Sequence, residues 1–303
     1  MLDLIIIGAG PSGITAGVYA ARKKIDTLVI TRDVGGQAAW SGDVENYTGY
    51  QFISGPELAA KFQEHMSGYN IPVRENESVT SLDVKGKAVS VVTDKSEYAA
   101  RTVIIASGKR TKELNVPGEQ EFKNRGLTYC ATCDGPLFSG REVAVIGGGN
   151  SALDAVLQLI RIARRVYLIN INSSLNADEI MCKKAGESSL VTILNDTEVT
   201  AILGDKMVNG IKIKRQGREE VLALGGVFVE IGLIPNSEFA KGLKKNELGE
   251  IKVNPRNETN LPAVFAAGDV TDVPEKQIII AAGEGAKAAL SVFSYLARHN
   301  DTR

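Results

Sequence analysis

The sequence contains few residues of the kinds that bind transition metals. It has three cysteines and two histidines among 303 residues. Cys130 and Cys133 form a C-x-x-C pair, which as a zinc half-site would need two further thiolate or imidazole ligands. Neither His65 nor His299 lies at ligand spacing from the pair, and Cys182 stands alone. We therefore predict no metal site. An odd number of cysteines is also untypical of a secreted disulfide scaffold, which predicts a reducing compartment.

The sequence also lacks a strong net charge and long apolar runs. Its formal net charge is −1 and its pI is near 6.2, which gives no reason to expect nucleic acid or an anionic membrane surface as a partner. Apolar runs such as Leu4–Ile7 are far shorter than the roughly 20 residues of a membrane span. Met1 leads into a strand pattern that carries Asp3, without a basic leader. The expected location is therefore the cytoplasm.

The segment Cys130-Ala131-Thr132-Cys133-Asp134 carries the clearest chemical pattern. Two cysteines at this spacing can close a small disulfide, and the acid that follows can move protons. Because zinc is disfavoured, the pattern indicates a redox-active dithiol, in which one thiol can reach a pKa near 7. We predict Cys130, Cys133 and Asp134 as catalytic residues. The pattern alone does not tell which cysteine faces an electron donor.

A glycine-rich turn opens the chain. Leu2–Ile7 is predicted as a strand, and Gly8-Ala9-Gly10-Pro11-Ser12-Gly13 as a G-x-G-x-x-G turn that begins a helix. The first glycine permits the tight turn, the second lets the backbone approach a pyrophosphate, and the third packs the helix on the strand. The turn therefore predicts a dinucleotide site.

The same pattern recurs after the dithiol. Val143–Ala152 repeats the strand and the turn, with Gly147, Gly149 and Ala152 in the places of the three glycines. The strand that follows the turn is also matched without a gap. Two such turns in one chain predict two different dinucleotides, or one active and one inactive copy.

The segments around these turns predict how the chain is divided. Residues 78–101 alternate like a small antiparallel layer, with 97–101 as its last strand, and 102–106 is a separate buried strand. Residues 114–118 and 236–250 are interpreted as linkers. The expected fold is α/β, with two Rossmann-like three-layer ββα/βαβ domains. Residues 1–113 and 246–303 form an outer domain, and 114–245 form an inserted domain that carries the second turn and the dithiol.

Together these motifs resemble those of a known family, the low-molecular-weight thioredoxin reductases, over nearly the whole chain. The matching stretches are GAGPSG, GGQ, ENYTG, CATCD, GGGNSA and AAGDV followed by QIII. In the second half, GVFVEIGLIPN and KQIIIAAGEGAKAALS are most similar to the flavoprotein subunit of alkyl hydroperoxide reductase. That relative carries an additional N-terminal pair of thioredoxin-like modules, which this sequence is predicted to lack because its first strand begins at Leu2.

The resemblance implies FAD in the outer domain. The first turn would hold its pyrophosphate, and the N-terminus of the last helix would hold the pyrimidine edge of the flavin. The implied FAD-binding residues are Gly8, Gly10, Pro11, Ser12, Gly13, Gly36, Gln37, Asn46, Gly108, Gly268, Asp269, Gln277 and Ile278. The resemblance further implies that Cys133 faces the flavin and that Cys130 attacks the disulfide of a thioredoxin-like or peroxiredoxin-linked protein. It also implies a homodimer.

The inserted domain departs from the family pattern at one loop. NADPH-dependent members carry His-Arg-Arg-x-x-x-Arg after the second strand of this domain, whereas Asn170–Asn176 contains no positive charge. A 2′-phosphate would forgo charged hydrogen bonds worth roughly 1.5–3 kcal/mol each. The sequence therefore favours NADH over NADPH, with Asn170 at the ribose hydroxyls. The nucleotide-binding residues implied here are Gly147, Gly149, Asn150, Ser151 and Asn170.

The expected activity is that of a thioredoxin-disulfide reductase-like flavoprotein, passing electrons from NADH through FAD and the dithiol to a protein disulfide. Three alternatives remain open. The first is a reductase fed by a reduced protein such as ferredoxin, with no nicotinamide in the inserted domain. The second is a dithiol oxidase that produces hydrogen peroxide, and the third is a flavin-bound redox sensor.

Overall fold

The computed structural model describes residues 1–41 and 43–299. Residues 300–303, the end of the predicted outer domain, lie outside the described residues. The chain forms two compact units, one of Met1–Arg110 with the segment from Ile234 onward, the other of Thr111–Leu233. One unit therefore interrupts the other in sequence.

The elements follow one another in an order typical of α/β proteins. The strands are, in chain order, β1 (Leu2–Ala9), β2 (Thr27–Val34), β3 (Asp43–Val44), β4 (Ile53–Ser54), β5 (Val73–Arg74), β6 (Val79–Lys85), β7 (Ala88–Thr93), β8 (Glu97–Ile105), β9 (Lys109–Thr111), β10 (Leu127–Thr128), β11 (Glu142–Ile146), β12 (Arg165–Ile169), β13 (Val191–Leu194), β14 (Thr197–Gly204), β15 (Val208–Arg215), β16 (Arg218–Ala223), β17 (Gly226–Val229), β18 (Leu233–Pro235) and β19 (Val264–Ala266). The helices are α1 (Pro11–Arg22), α2 (Gln37–Trp40), α3 (Gly55–Ser67), α4 (Glu119–Phe122), α5 (Ala131–Asp134), α6 (Asn150–Leu159), α7 (Glu179–Glu187) and α8 (Ile278–Arg298), with a 3-10 helix at Gly135–Phe138.

β1 lies inside the sheet of the outer unit, whose order is β5-β2-β1-β8-β7-β6, with β19 also paired to β8. It pairs in parallel with β2 and β8. Leu4 and Ile6 enter a core shared with α1 and α8, whereas Ile5 and Ile7 enter the core on the opposite face. Because both faces are covered, the strand is uniformly apolar in sequence.

β8 joins two strands that the sequence analysis separated. Its first residues pair antiparallel with β7, and from Ala100 onward it pairs in parallel with β1. The predicted break between residues 101 and 102 is therefore wrong. The change from alternating to continuous apolar residues marks a change of neighbours within one strand, and no turn lies there.

The inserted unit repeats the arrangement around the second turn. Its parallel sheet has the order β10-β17-β11-β12-β13, and β14-β15-β16 form an antiparallel layer beside it. Ile146 pairs with Ile169 directly before the second turn, as Ile7 pairs with Ile30 before the first. The predicted α/β class, with two units of Rossmann type, is confirmed.

The second boundary between the units differs from the prediction. The sequence analysis interpreted residues 236–250 as a linker because they are polar, and it ended the inserted domain at residue 245. In the structure Ala240 and Leu243 are buried in the core of the outer unit, together with Ile251 and Val270. A few buried side chains thus anchor this largely polar segment in the outer unit, so the chain returns at Ile234 and not at residue 246.

The last helix corrects the view that no apolar segment reaches membrane length. α8 has 21 residues and a window of mean hydropathy 1.2, so by length and composition it could cross a membrane. Uninterrupted apolar runs do not reveal this helix, because Glu284 and Lys287 interrupt the run of apolar residues within it. Core helices of globular proteins have the same composition, and Ala288 and Val292 are buried with β1 and α1. We therefore assign α8 to the core of the outer unit.

Candidate functional site

The first glycine turn is built from three glycines in three different environments. Gly8 has φ 104°, and a Cβ there would lie 2.4 Å from the carbonyl oxygen of Ala106. A Cβ on Gly13 would lie 1.9 Å from the carbonyl oxygen of Gly8. A Cβ on Gly10 would meet nothing within 4 Å, and its φ of −77° suits any residue. Gly10 therefore borders open space at the start of α1, where a phosphate can approach the backbone.

Residues predicted to hold FAD gather around this turn from distant parts of the chain. A Cβ on Gly36 would lie 3.2 Å from the Gly10 Cα, and one on Gly268 would lie 2.9 Å from the Ser12 Cβ. Among the described residues, the buried hydroxyl of Ser12 has no hydrogen-bond partner. An unsatisfied donor beside a turn open to a phosphate fits a bound dinucleotide, since buried hydroxyls are otherwise paired.

Two further predicted residues meet directly. The Asn46 side-chain amide donates to Gln277 Oε1 at 3.1 Å, although the two are 231 positions apart. Gln277 is the N-cap residue of α8 and Ile278 is its first residue. The loop of Asn46 and the start of α8 thus border one site in the outer unit.

Asp269 lies beside a cluster of buried charges. Burial raises the pKa of Asp269, while Lys276 and Lys109 act in the opposite direction. Lys276 forms an ion pair with Glu250 at 3.2 Å, and Lys109 also pairs with Glu250. Asp269 is therefore a carboxyl group with a raised pKa, next to the predicted flavin residues.

The second turn, in the inserted unit, repeats the geometry of the first. A Cβ on Gly147 would lie 2.3 Å from the carbonyl oxygen of Glu230, so this position is closed. A Cβ on Gly149 would have Asn176 O, at 3.7 Å, as its nearest neighbour, which is an ordinary contact. Gly149 is the N-cap residue of α6, which begins at Asn150. The approach to this helix is therefore open as well.

The loop that lacks positive charge lies directly against the second turn. Asn176 N–H donates to Gly148 O at 2.7 Å, and Gly149 and Asn176 form an isolated β-bridge. The Asn150 side chain also helps, because its Oδ1 accepts the Asp178 N–H at 2.8 Å. The end of the loop 170–176 therefore lies next to the turn that is predicted to bind a nucleotide.

Asn170 holds this loop in shape. It is 1% exposed. Its amide nitrogen donates to Asn172 O at 3.0 Å, to Ser174 O at 2.9 Å and to Asn195 Oδ1 at 3.0 Å, and its Oδ1 accepts from Asn172 N–H at 3.2 Å. The sequence analysis gave Asn170 to the ribose hydroxyls, but the structure commits its polar atoms to the loop. Asn172, whose side chain is exposed, is the freer amide.

The predicted dithiol forms a disulfide at the start of α5. Cys130 and Cys133 are bonded, with their Cα atoms 5.4 Å apart. Cys130 is the N-cap residue, and its Sγ accepts the Cys133 N–H at 3.2 Å. The third cysteine, Cys182, is a half-buried free thiol packed in the core of the inserted unit. C-x-x-C at a helix start therefore gives the disulfide predicted from the sequence.

The acid that follows the disulfide is held by a threonine. Asp134 is 8% exposed, and the Thr128 hydroxyl donates to its Oδ2. The same Thr128 oxygen accepts the Cys130 N–H at 3.2 Å. One hydroxyl thus links the predicted proton carrier to the backbone of the first cysteine.

Glu230, which the sequence analysis missed, connects the disulfide to the second turn. The Ser151 hydroxyl donates to Glu230 Oε2 at 2.5 Å, and the Ala131 N–H donates to Oε1 at 3.4 Å. Burial raises the pKa of Glu230 to about 7, and the nearby Asp154 adds to the effect. A charged residue directly after the buried run of β17, at the carboxyl end of a parallel strand, was the available signal.

Glu230 makes the stability of the protein depend on pH. The pKa of its carboxyl group is near 7 in the folded protein against 4.5 ordinarily, so ionisation destabilises the folded state. This cost is absent below the ordinary value, grows as the pH rises towards 7 and is complete above it. We expect Glu230→Gln to stabilise the protein by up to about 3 kcal/mol at pH 8 and by almost nothing at pH 4.5.

Urea unfolding at the two pH values measures this difference. Glu198→Gln, at an exposed position on β14 of the same unit, is the matched control and should have little effect at either pH. An equal stability change for Glu230→Gln at both pH values would contradict the assignment.

The chain is similar to known proteins over nearly its whole length. The family model described as pyridine nucleotide-disulphide oxidoreductase matches residues 2–285. An NADH dehydrogenase of Bacillus subtilis is 41% identical over 300 residues, which are 98% of this chain and 59% of that protein. One of the subunits of the alkyl hydroperoxide reductase of Pseudomonas putida is 42% identical over 303 residues, which are 98% of this chain and 58% of that protein. The chain thus spans about three fifths of the length of these relatives.

The same similarity extends to solved structures. The thioredoxin reductase of Streptococcus pyogenes superposes with a TM-score of 0.92 at 36% identity, over 98% of this chain and 99% of that one. The predicted resemblance is thereby confirmed, and the protein is an oxidoreductase whose family implies a flavin and a pyridine nucleotide. Since the family model runs through both glycine turns and the disulfide between them, this chain belongs to the pyridine nucleotide-disulphide oxidoreductase family.

Proposed function

We propose that this protein is an FAD-dependent disulfide reductase that takes electrons from NADH and passes them through Cys130 and Cys133 to a thioredoxin-like or peroxiredoxin-linked protein disulfide. The observation that carries the proposal is the Cys130–Cys133 disulfide, formed in the same unit as a complete second glycine turn. In the balanced reaction, NADH and one proton reduce one protein disulfide to a dithiol and yield NAD⁺.

The outer unit offers a site that fits FAD. Its first turn is open at Gly10, and the Ser12 hydroxyl beside it lacks a partner among the described residues. Gly36 and Gly268 lie close to the turn. Because glycine has no side chain, a phosphate can approach the backbone at such positions. When bound there, FAD would supply the two-electron chemistry between a nicotinamide and a disulfide.

Two matched glycine variants test this FAD site. Gly10→Ala adds a methyl group to open space without backbone strain, so we expect a folded protein whose FAD affinity falls at least about tenfold. Gly13→Ala forces a Cβ onto the Gly8 carbonyl, so we expect loss of fold stability as well. FAD content after purification and thermal unfolding of both variants separate these effects. Full FAD affinity in Gly10→Ala would place the pyrophosphate elsewhere.

The cysteines carry the exchange with the partner protein. In the reduced protein, the Cys130 thiolate attacks one sulfur of the partner's disulfide and forms a mixed disulfide. The Cys133 thiolate then attacks Cys130, which restores the internal disulfide and releases the partner as a dithiol after protonation. Asp134, held by Thr128, is placed to move these protons.

The preference for NADH rests on the loop beside the second turn. Residues 170–176 contain no positive charge, and the loop is bonded to Gly148, next to the open position at Gly149. Because Asn170 is committed to the loop, we infer that the exposed Asn172 offers the amide that meets the ribose hydroxyls. The Bacillus subtilis relative is named an NADH dehydrogenase, which is in line with this donor.

The relatives also favour a second candidate, an NADH dehydrogenase-type activity in which no protein disulfide is the acceptor. Anaerobic and aerobic turnover with purified substrates distinguishes the candidates. Without artificial electron acceptors, a disulfide reductase oxidises NADH in proportion to an added disulfide, such as oxidised thioredoxin, whereas an enzyme of NADH dehydrogenase type oxidises NADH at a rate that does not depend on the disulfide. A dithiol oxidase forms hydrogen peroxide from oxygen as it oxidises an added dithiol. A reductase fed by a protein requires reduced ferredoxin, and a redox sensor shows no turnover with either NADH or ferredoxin.

The homodimer and the cytoplasmic location stay proposals. The outer unit exposes Leu290 and Phe293 on α8, and the Nζ of Lys23, which directly follows α1, lies 5.0 Å from the ring centre of Phe293. Exposed apolar side chains on α8 support a contact between two copies.

A further inference from the structure

Glu230 and Cys130 accept hydrogen bonds from the same short turn of backbone. The Ala131 N–H donates to the Glu230 carboxylate at 3.4 Å, and the Cys133 N–H donates to Cys130 Sγ at 3.2 Å. Ala131 directly follows Cys130 in the chain. The carboxylate is therefore a near neighbour of the sulfur that would become a thiolate on reduction.

The position of this carboxylate is well defined. The Ser151 hydroxyl fixes Oε2 at 2.5 Å, and the Glu230 N–H donates to Ile146 O at 2.8 Å at the end of β11. The backbone carbonyl of Glu230 also closes the second turn, because it occupies the space of a Cβ on Gly147. The side chain cannot move away from α5 without breaking its hydrogen bond with Ser151 on α6.

We propose that Glu230 is a positioning residue that controls the dithiol through charge, its carboxylate opposing a thiolate at Cys130 and its protonated form permitting one. The inference rests on the proposed role of Cys130 as the attacking thiol. Two negative charges in one partly buried place each disfavour the other, as in paired carboxylates. Reduction of the disulfide would thus be linked to the protonation of Glu230.

Other charged groups lie on the segments around Glu230 and the disulfide. Asp154 on α6 acts on Glu230 in the same sense as burial, which keeps the carboxyl group titrating near neutrality. Asp134 lies on α5 itself and is held by Thr128. The Lys112 Cδ lies 3.9 Å from the position that a Cβ on Gly232 would occupy, and Gly232 is two residues beyond Glu230.

Alkylation of the reduced holoenzyme tests the proposal. The FAD-loaded protein is reduced, freed of reductant under argon and treated with iodoacetamide between pH 5 and 10, and Cys130 labelling is quantified by mass spectrometry. We expect the midpoint of the Cys130 profile in Glu230→Gln to lie about one pH unit below that of the wild type. Below about pH 6 the two profiles should converge, because Glu230 is then neutral in the wild type.

The pH dependence separates charge from a merely structural role. A structural role would change Cys130 labelling by the same factor at every pH, and that result, or coincident profiles, would overturn the proposal. Cys182 in the same samples and the Glu198→Gln variant are controls that should not change. If Glu230→Gln fails to fold, Ser151→Ala replaces it. Without the Ser151 hydroxyl, the pH above which the Glu230 carboxylate slows Cys130 labelling should be higher than in the wild type. An unchanged profile would overturn the proposal.

Failure of this inference can be told apart from failure of the proposed function. Alkylation needs neither NADH nor a protein disulfide, so a protein inactive in turnover can still show the shifted profile. An active enzyme with coincident profiles would retain the function and lose the role of Glu230.

Discussion

Replacing either cysteine of the disulfide should reduce NADH-dependent reduction of a protein disulfide at least about 1,000-fold, because neither single thiol can accept and return an electron pair. Cys130→Ser and Cys133→Ser should keep their FAD, since the first glycine turn lies in the other unit. Reduction of ferricyanide by NADH, which needs no dithiol, should remain within about threefold of the wild type.

Cys182→Ser is the matched control for this loss. The residue lies in the same unit and is half-buried, and its Sγ lies 3.7 Å from the carbonyl oxygen of Ala177. A serine can keep this contact, so disulfide reduction should stay close to wild type. Retention of more than about a tenth of the activity in Cys133→Ser would show that electrons reach the acceptor by another path.

The donor should be NADH, with a kcat/KM for flavin reduction at least about 100-fold above that of NADPH, because two missing charged hydrogen bonds are worth about 3 kcal/mol or more. The reason lies in the neutral loop 170–176, which is bonded to the second turn. Stopped-flow bleaching of the flavin under anaerobic conditions measures both nucleotides directly. Faster bleaching by NADPH would contradict this interpretation of the loop.

Adding charge to the same loop should shift the preference. The double variant Asn172→Arg/Asn176→Arg should improve the NADPH to NADH ratio by about 10- to 100-fold, because arginines can pair with a 2′-phosphate. Both positions are exposed, so the fold should tolerate the change. Asn209→Arg, on β15 of the same unit and also exposed, adds a similar charge away from the loop and should leave the ratio unchanged.

The sequence predicted the parts of this fold that depend on local backbone requirements. Gly8 needs a positive φ and Gly13 allows no Cβ, and these demands are visible in the sequence as a turn between a strand and a helix. The repeat at Gly147 follows from the same constraint. C-x-x-C likewise places both sulfurs on one helical turn, so its disulfide could be expected.

The features that the sequence did not reveal depend on contacts between distant segments. The polar stretch 234–245 belongs to the outer unit because Ala240 and Leu243 reach its core, and two side chains do not alter an average composition. Asn170 has the right position for a ribose ligand, but its partners Ser174 and Asn195 could be identified only once the loop was folded. Glu230 is brought to Ser151 and Ala131 by the parallel order of β17 and β11, which no spacing along the chain reveals.

The central claim is that flavin and disulfide form one redox unit, and anaerobic dithionite titration tests it most directly. The FAD-loaded wild type should take up about four electrons per flavin, two for the flavin and two for the Cys130–Cys133 disulfide. Cys133→Ser should take up only about two. Equal uptake by the two proteins would show that the disulfide does not exchange electrons with the flavin, and would contradict the proposed reductase.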